Sequence, residues 1–179
     1  STQSAEQTLQ DMMTQYCDFP AVHPDMKKLR EILTQLSDQQ KLHILQQWYS
    51  VCGTPLHWAA FRGHTEIIST LLTSLQSSAD RLKLLTVDKL STPLHRAAFS
   101  RNTESVKMIL DCLTADQQIQ IMSVHDWGSK RAIQSAERRG RTDTVRVLRE
   151  YQQRANNLMQ RRRREQQRIK REQDNNYQV

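Results

Sequence analysis

Two stretches of the chain repeat each other 38 residues apart. Residues 54–75 read TPLHWAAFRGHTEIISTLLTSL and residues 92–113 read TPLHRAAFSRNTESVKMILDCL, identical at 11 of 22 positions. A period of this size marks a stack of small units, each too thin to bury its own apolar face and therefore dependent on its neighbours. Within the unit, Thr54-Pro55 starts a helix: threonine accepts from the first free amides, and proline at the first helical position gives up a donor that had no partner anyway. Leu56, Ala59 and Ala60 make a narrow face that a neighbouring helix can approach closely, and Arg62-Gly63 ends the helix where left-handed geometry is needed. Thr65-Glu66 opens a second helix, whose Ile67, Ile68, Leu71, Leu72 and Leu75 form one apolar stripe.

These residues carry a resemblance. TPLHWAAFRGHTEIISTLL resembles the ankyrin repeat, whose T-P-L-H-x-A-A-x-x-G-H core it matches almost letter for letter. The resemblance implies an all-α solenoid of helix-turn-helix units that binds a partner protein along its concave groove. The second copy departs from the pattern with Arg101-Asn102 in place of Gly-His. A weaker third copy, RAIQSAERRGRTDTVRVL at 131–148, aligns at a spacing of 39 with Ile133 in the place of Leu94 and Gly140 in that of Arg101. It has lost Thr-Pro and His and reads as a degenerate final repeat, because a terminal unit keeps one face compatible with water. Upstream, MKKLREILTQL at 26–36 aligns with a second helix, Leu36 lying 39 residues before Leu75. Residues 4–17 offer a first helix through Leu9, Met12, Met13 and Tyr16, with irregular FPAVHP at 19–24 between the two. The expected organisation is a repeat domain over 1–151, followed by a basic helical or disordered tail at 152–179. Within the domain lie an N-terminal cap at 1–36, repeats at 53–75 and 91–113, and a degenerate repeat at 129–151.

The spacing exceeds the usual ankyrin period of about 33 residues by about five or six. The surplus falls at 37–53, 76–91 and 114–129. Each segment opens with polar residues that include Ser or Thr and Asp, then carries an apolar cluster: Leu42, Ile44 and Leu45; Leu82, Leu84 and Leu85; Ile119, Ile121 and Met122. This pattern predicts an additional helical turn or short helix in each unit, enlarging the fingers along one edge of the stack.

Composition excludes several classes. With 179 residues, 37% of them hydrophobic, and only four glycines and four prolines, the chain supports a single elongated helical core. No apolar run is long enough to span a bilayer, and Ser1 begins a polar segment without a signal pattern. The lack of an initiator methionine suggests a processed chain or a fragment. Cys17, Cys52 and Cys112 are odd in number and far apart, which argues against a disulfide framework or zinc site and for the cytoplasm or nucleus. His57 and His95 occupy the repeat position whose histidine, in the family the chain resembles, is a structural hydrogen-bonding residue. His23, His43, His64 and His125 share no spacing. No metal, cofactor or catalytic role is expected, since no G-x-S-x-G, phosphate-cradling loop or H-E-x-x-H is present.

The resemblance also indicates where a partner would sit. First helices line the concave face, so the variable positions are Trp58, Arg96 and Ser135 after the histidine position, then Phe61-Arg62, Phe99-Ser100 and Arg138-Arg139 after the alanines. The turns add Tyr49, Asp88, Lys89, Leu90, His125, Asp126 and Trp127. Trp58, large, unrepeated and at a position that faces outward in the family, is the expected anchor. Phe61 and Phe99, identical between the copies, also read as packing residues. Arg96, Arg101, Arg138, Arg139 and Arg141 thicken the positive charge toward the C-terminal half, so the expected partner is an acidic segment with an apolar anchor.

Charge is segregated along the chain. Residues 1–128 carry 11 basic against 13 acidic residues, residues 129–151 carry seven against three, and residues 152–179 carry eight against three. Arg161, Arg162, Arg163 and Arg164 are followed by Arg168, Lys170 and Arg171. One reading is a solvated helix that continues the seam of Leu148, Tyr151, Ala155 and Leu158. The others are a nuclear-import signal, contacts to nucleic-acid phosphates, or contact with an acidic partner or membrane surface. The alternative function is accordingly a nuclear or nucleic-acid-associated regulatory protein that uses this tail, although the tail lacks the aromatic platform of single-strand binders. Tyr177-Gln178-Val179 resembles the carboxylate-terminated peptides that PDZ domains accept.

Overall fold

The structure, a computed structural model, describes residues 3–19, 22–50, 53–88 and 91–178. Eleven helices among the described residues fall into four units. The first comprises α1 (Ala5–Asp18), α2 (Met26–Thr34) and α3 (Asp38–Leu45), and the second α4 (Pro55–Arg62), α5 (Thr65–Thr73) and α6 (Ser78–Leu85). The third comprises α7 (Pro93–Phe99), α8 (Thr103–Asp111) and α9 (Ala115–Met122), and the last α10 (Ala132–Arg138) and α11 (Thr142–Tyr177).

First helices stack on first helices, α4 against α7 and α7 against α10, while α5 packs on α8 and α8 on α11. The alanines make this possible: Ala59, Ala60, Ala97 and Ala98 have no exposed surface and let the backbones close up. Leu56, Leu71, Leu72, Leu94, Ile109 and Leu110 fill the space behind them, each burial contributing about 1.5–3 kcal/mol. In the first unit Leu9, Met13 and Tyr16 are fully buried and α1 rests against α4, so a helix without ankyrin letters closes the N-terminal end.

The turn between first and second helices takes the same left-handed backbone three times: Gly63 at φ 74°, Arg101 at φ 66° and Gly140 at φ 67°. The alignment of Gly140 with Arg101 is therefore conformational as well as alphabetic. Arginine carries a Cβ that glycine lacks, and this geometry costs it about 1 kcal/mol.

The surplus residues of the long period fold as a third helix in each of the first three units. Ser37, Ser77 and Thr114 cap α3, α6 and α9, their hydroxyls accepting from Gln40 N at 3.2 Å, Asp80 N at 3.4 Å and Gln117 N at 3.4 Å. Four residues after each cap stands a long polar side chain that donates to carbonyls at the end of a second helix. Lys41 Nζ donates to Ser74 O in the following unit at 2.7 Å. Arg81 Nε donates to Leu72 O and Leu75 O, both at 3.0 Å, and its Nη1 to Cys112 O of the following unit at 3.3 Å. Gln118 Nε2 donates to Leu110 O at 2.8 Å. The third helix thus adds side-chain donors to the carbonyl-rich ends of second helices, where Leu72 O and Leu110 O also accept backbone amides, and in the first two cases ties one unit to the next.

The last unit has no such helix among the described residues. Its second helix continues instead for 36 residues and lies along α9. Val147, Leu148, Tyr151 and Ala155 are buried, and the Tyr151 hydroxyl donates to Asp111 Oδ1 at 2.5 Å. Contact ends where Arg162 meets Asp116 at 3.4 Å. Every described residue from 163 onward is exposed.

Candidate functional site

The surface of the stacked first helices is held in place by the repeat histidines. The Thr54 amide donates to His57 Nδ1 at 3.1 Å, and His57 Nε2 lies 2.7 Å from Ser91 O in the next unit. His95 repeats this with the Thr92 amide at 3.4 Å and Lys130 O at 2.9 Å. Each ring accepts at Nδ1 and donates at Nε2, as the neutral tautomer does. Burial pushes both imidazoles below the ordinary histidine range, only partly offset by the carbonyl that each ring meets. In the last unit Gln134 replaces the histidine, and its Oε1 accepts from the Arg131 amide at 2.8 Å. It performs the local half of the histidine's work where no further unit follows.

On this scaffold Phe61 and Phe99 are 44% and 41% exposed on adjacent helices. Of the two readings open to them, packing is the one the exposure disfavours. Trp58, expected to face outward, is half-buried instead: its indole Nε1 donates to Ser50 Oγ at 2.9 Å, and Phe61 meets it edge-on at 6.5 Å. The reason is Arg62, whose guanidinium lies 4.6 Å from the Trp58 ring centroid and 4.9 Å from that of Tyr16 while donating to Tyr16 O and Cys17 O at the end of α1. Arg62 is thereby a clasp between the first two units, with Trp58 as its platform.

Farther along, Arg139 stacks on Phe99 with its guanidinium 3.9 Å from the ring centroid, a cation–π contact that brings the aromatic and basic parts of the face together. Arg96 and Ser135 are half-buried, and Arg96 Nε reaches Ser91 Oγ at 3.3 Å; the Ser100 hydroxyl donates to Arg96 O. Arg101 and Arg138 are exposed. Among the described residues none of Arg101, Arg138, Arg139 and Arg141 lies within ion-pair distance of a carboxylate. Arg141 sits at the turn with a buried Nε that has no acceptor. Desolvation, followed by the charges of Arg101 and Arg139, pushes its guanidinium below the ordinary range. Arg101 and Arg141 line one shallow cavity with Asp143 and the threonines Thr103, Thr142 and Thr144 at the turn edge.

The turns divide into structural and open positions. Asp126 Oδ1 accepts from the amides of Gly128 and Lys130, both at 2.9 Å, and so folds its own loop. Trp127 stands on that loop 81% exposed, far more open than Trp58, and His125 is exposed beside it. Tyr49 is half-buried with its hydroxyl donating to Ile44 O at 2.9 Å, and Asp88 is half-buried. Lys89 and Leu90 lie outside the described residues, as does Val179, on which the PDZ expectation rests. In the tail Arg161, Arg163, Arg164, Lys170 and Arg171 are exposed; Arg168 is held between Glu165 and Glu172. No helix among the described residues is long and apolar enough to cross a membrane.

Two of the side chains that join units across this face, Arg62 and Arg139, have a role that the sequence does not announce. Both stand among the positions expected to meet a partner, and Arg139 also among the charges, whereas each first engages an aromatic ring of the chain itself. The only available signal was the pairing of an arginine position with a ring one turn or one unit away.

A family model described as ankyrin repeats (3 copies) matches residues 25–121, more than half of the chain. A search of curated proteins returned no match.

Proposed function

Because the chain belongs to the ankyrin-repeat family, whose members are generally protein–protein interaction modules and typically non-enzymatic scaffolds, we propose that it holds a partner segment on the face formed by α4, α7 and α10. The segment would be acidic with one apolar anchor. One observation carries the reading: Phe61 and Phe99 stand in solvent at equivalent places on neighbouring helices, whereas the other repeated apolar residues of those helices are buried. An apolar side chain of the partner fits beside the two rings. Its carboxylates fit toward Arg101, Arg138 and Arg139, where charge mainly sets orientation and association rate. Trp58 supports the floor of this face, and the exposed Trp127 offers a second contact on the loop edge.

Selection from a random peptide library, followed by binding kinetics on the selected peptides, tests this. Enrichment of peptides with one large apolar residue flanked by Asp or Glu is expected. Phe99→Ala should weaken them by about tenfold or more through the dissociation rate. Arg138→Glu combined with Arg139→Glu should slow association and flatten its salt dependence. Selected peptides that bind all variants like the parent protein would exclude this face.

A further inference from the structure

We infer that the hollow between the third and fourth units, where Arg101 and Arg141 meet Thr103, Thr142 and Thr144, binds a phosphate group as its dianion. The inference shares Arg101 with the partner face and otherwise stands apart from it.

His64, Asn102 and Arg141 stand at the same place in the second, third and fourth units, each directly after the left-handed residue of its turn. The first two are tied to the preceding unit. His64 Nδ1 meets the Tyr16 hydroxyl at 2.7 Å, and Asn102 Nδ2 donates to Ala60 O at 2.9 Å and Phe61 O at 2.8 Å. Arg141 breaks the series: its Nε is buried with no acceptor among the described residues. The joint that a neutral amide closes between the second and third units is a cavity of about 330 Å³ between the third and fourth.

Each of the two units contributes one arginine to this cavity, Arg101 from a turn position that is glycine in the second and fourth units. Backbone strain of that kind persists where a side chain serves a function. Asp143 also lines the cavity, but its Oδ1 is engaged by Arg146 at 3.3 Å. The Thr103 and Thr144 hydroxyls lie 2.9 Å apart. Such a pair holds two protons and its hydrogen bond uses one, which leaves a donor for a ligand. The number of donors selects the anion. A carboxylate has two oxygens in one plane and is filled by a single guanidinium fork. A phosphate group offers three strong acceptor oxygens and a charge of about −1.5 to −2 at neutral pH, which match two guanidiniums from different units and a hydroxyl between them. A dianion there also compensates the burial, and then the charges of Arg101 and Arg139, that push the Arg141 guanidinium below its ordinary range.

The test is a nuclear magnetic resonance titration of the ¹⁵N-labelled full chain, at constant ionic strength, with inorganic phosphate and separately with an alanine peptide carrying one phosphoserine. Saturable shifts of the Thr103, Thr142 and Thr144 amides are expected. Arg101→Gly, which suits the left-handed turn, and Arg141→Gln should each weaken binding about tenfold, and the same spectra show that each variant is folded. Asp143→Asn should strengthen binding about twofold. Tighter binding of the phosphopeptide assigns the group to a modified side chain of a partner, and tighter binding of inorganic phosphate to a free ligand; both support the site. Phe61→Ala alters the partner face and should leave phosphate binding intact, so the two readings fail separately. The inference is overturned if glutamate shifts the same amides as strongly, if the shifts grow without saturating, or if neither arginine variant changes the affinity.

Discussion

The third and fourth units stand side by side on the same plan, yet they are built to different ends. In the third, His95 reaches both its own helix start and the backbone of the next unit, and α9 continues the row of third helices. In the fourth, Gln134 serves only its own helix start, and α11 runs on past the stack. Interior units are therefore recognised by groups that face two ways, and a terminal unit by groups that face one way. Consensus letters record the first condition and vanish where the second holds, although the backbone geometry of the turn is unchanged.

The largest effect separating the two units should come from the core. Leu94 is fully buried between neighbours, while its counterpart Ile133 is half-buried. Leu94→Ala should cost about 2–5 kcal/mol in urea unfolding, and Ile133→Ala less than half as much. Equal losses would mean that the fourth unit is as enclosed as the third.

Next come the histidine and its substitute. His95→Gln keeps the local acceptor but removes the ring donor to Lys130 O, which retains the Asp126 amide, and should cost about 0.5–1.5 kcal/mol. Gln134→Ala removes only a helix-start contact and should cost about 0.5–1 kcal/mol. The pH dependence sharpens this contrast. Folded His57 and His95 have pKa values below the ordinary 6.5, so the unfolded chain takes up protons first as the pH drops. Stability is complete above 6.5 and declines as pH falls below it. In His95→Gln that decline should be shallower, read from urea midpoints at successive pH values.

The smallest effect belongs to the turns. Arg101→Gly should stabilise by about 0.5 kcal/mol or less, since relief of a left-handed residue bearing a Cβ is partly offset by glycine's freedom in the unfolded chain, and Gly140→Ala should destabilise by a similar amount. A built Cβ at Gly140 meets nothing within 4 Å, so the second change isolates the backbone cost. Thermal midpoints that shift in the same direction for both would show that the shared φ is not what governs these turns.

Much of the architecture was legible because burial repeats with a period. The leucines, alanines and Thr-Pro pairs of the second and third units return at a fixed interval, and the third helices announced themselves through three matching polar-to-apolar segments. Their donors to helix ends did not, because Lys41, Arg81 and Gln118 share a position and a task but no side-chain type. The binding face was legible as a set of positions and less so as a set of exposures. The identity of Phe61 with Phe99 is equally compatible with packing and with display, and Trp58 sank into the surface only because an arginine from the next turn closed over it. The course of α11 was half legible: the seam of Leu148, Tyr151 and Ala155 is buried as one reading expected, whereas Leu158 is exposed. Its burial depends on α9, a neighbour distant in sequence, while its outer half draws on local arginine–glutamate pairs and intrinsic helix propensity.

The unbroken backbone of α11 makes the molecule a ruler. A flexible tether would let its two ends wander independently, whereas a helix rooted against α9 converts residue number into distance and azimuth. One residue inserted between Ala155 and Arg161 would advance the tip by about 1.5 Å and swing it by about 100°, while seven would displace it by about 10.5 Å and nearly restore its heading. Such insertions set the spacing and the rotational phase between whatever is held at the tip and whatever is held by the stack.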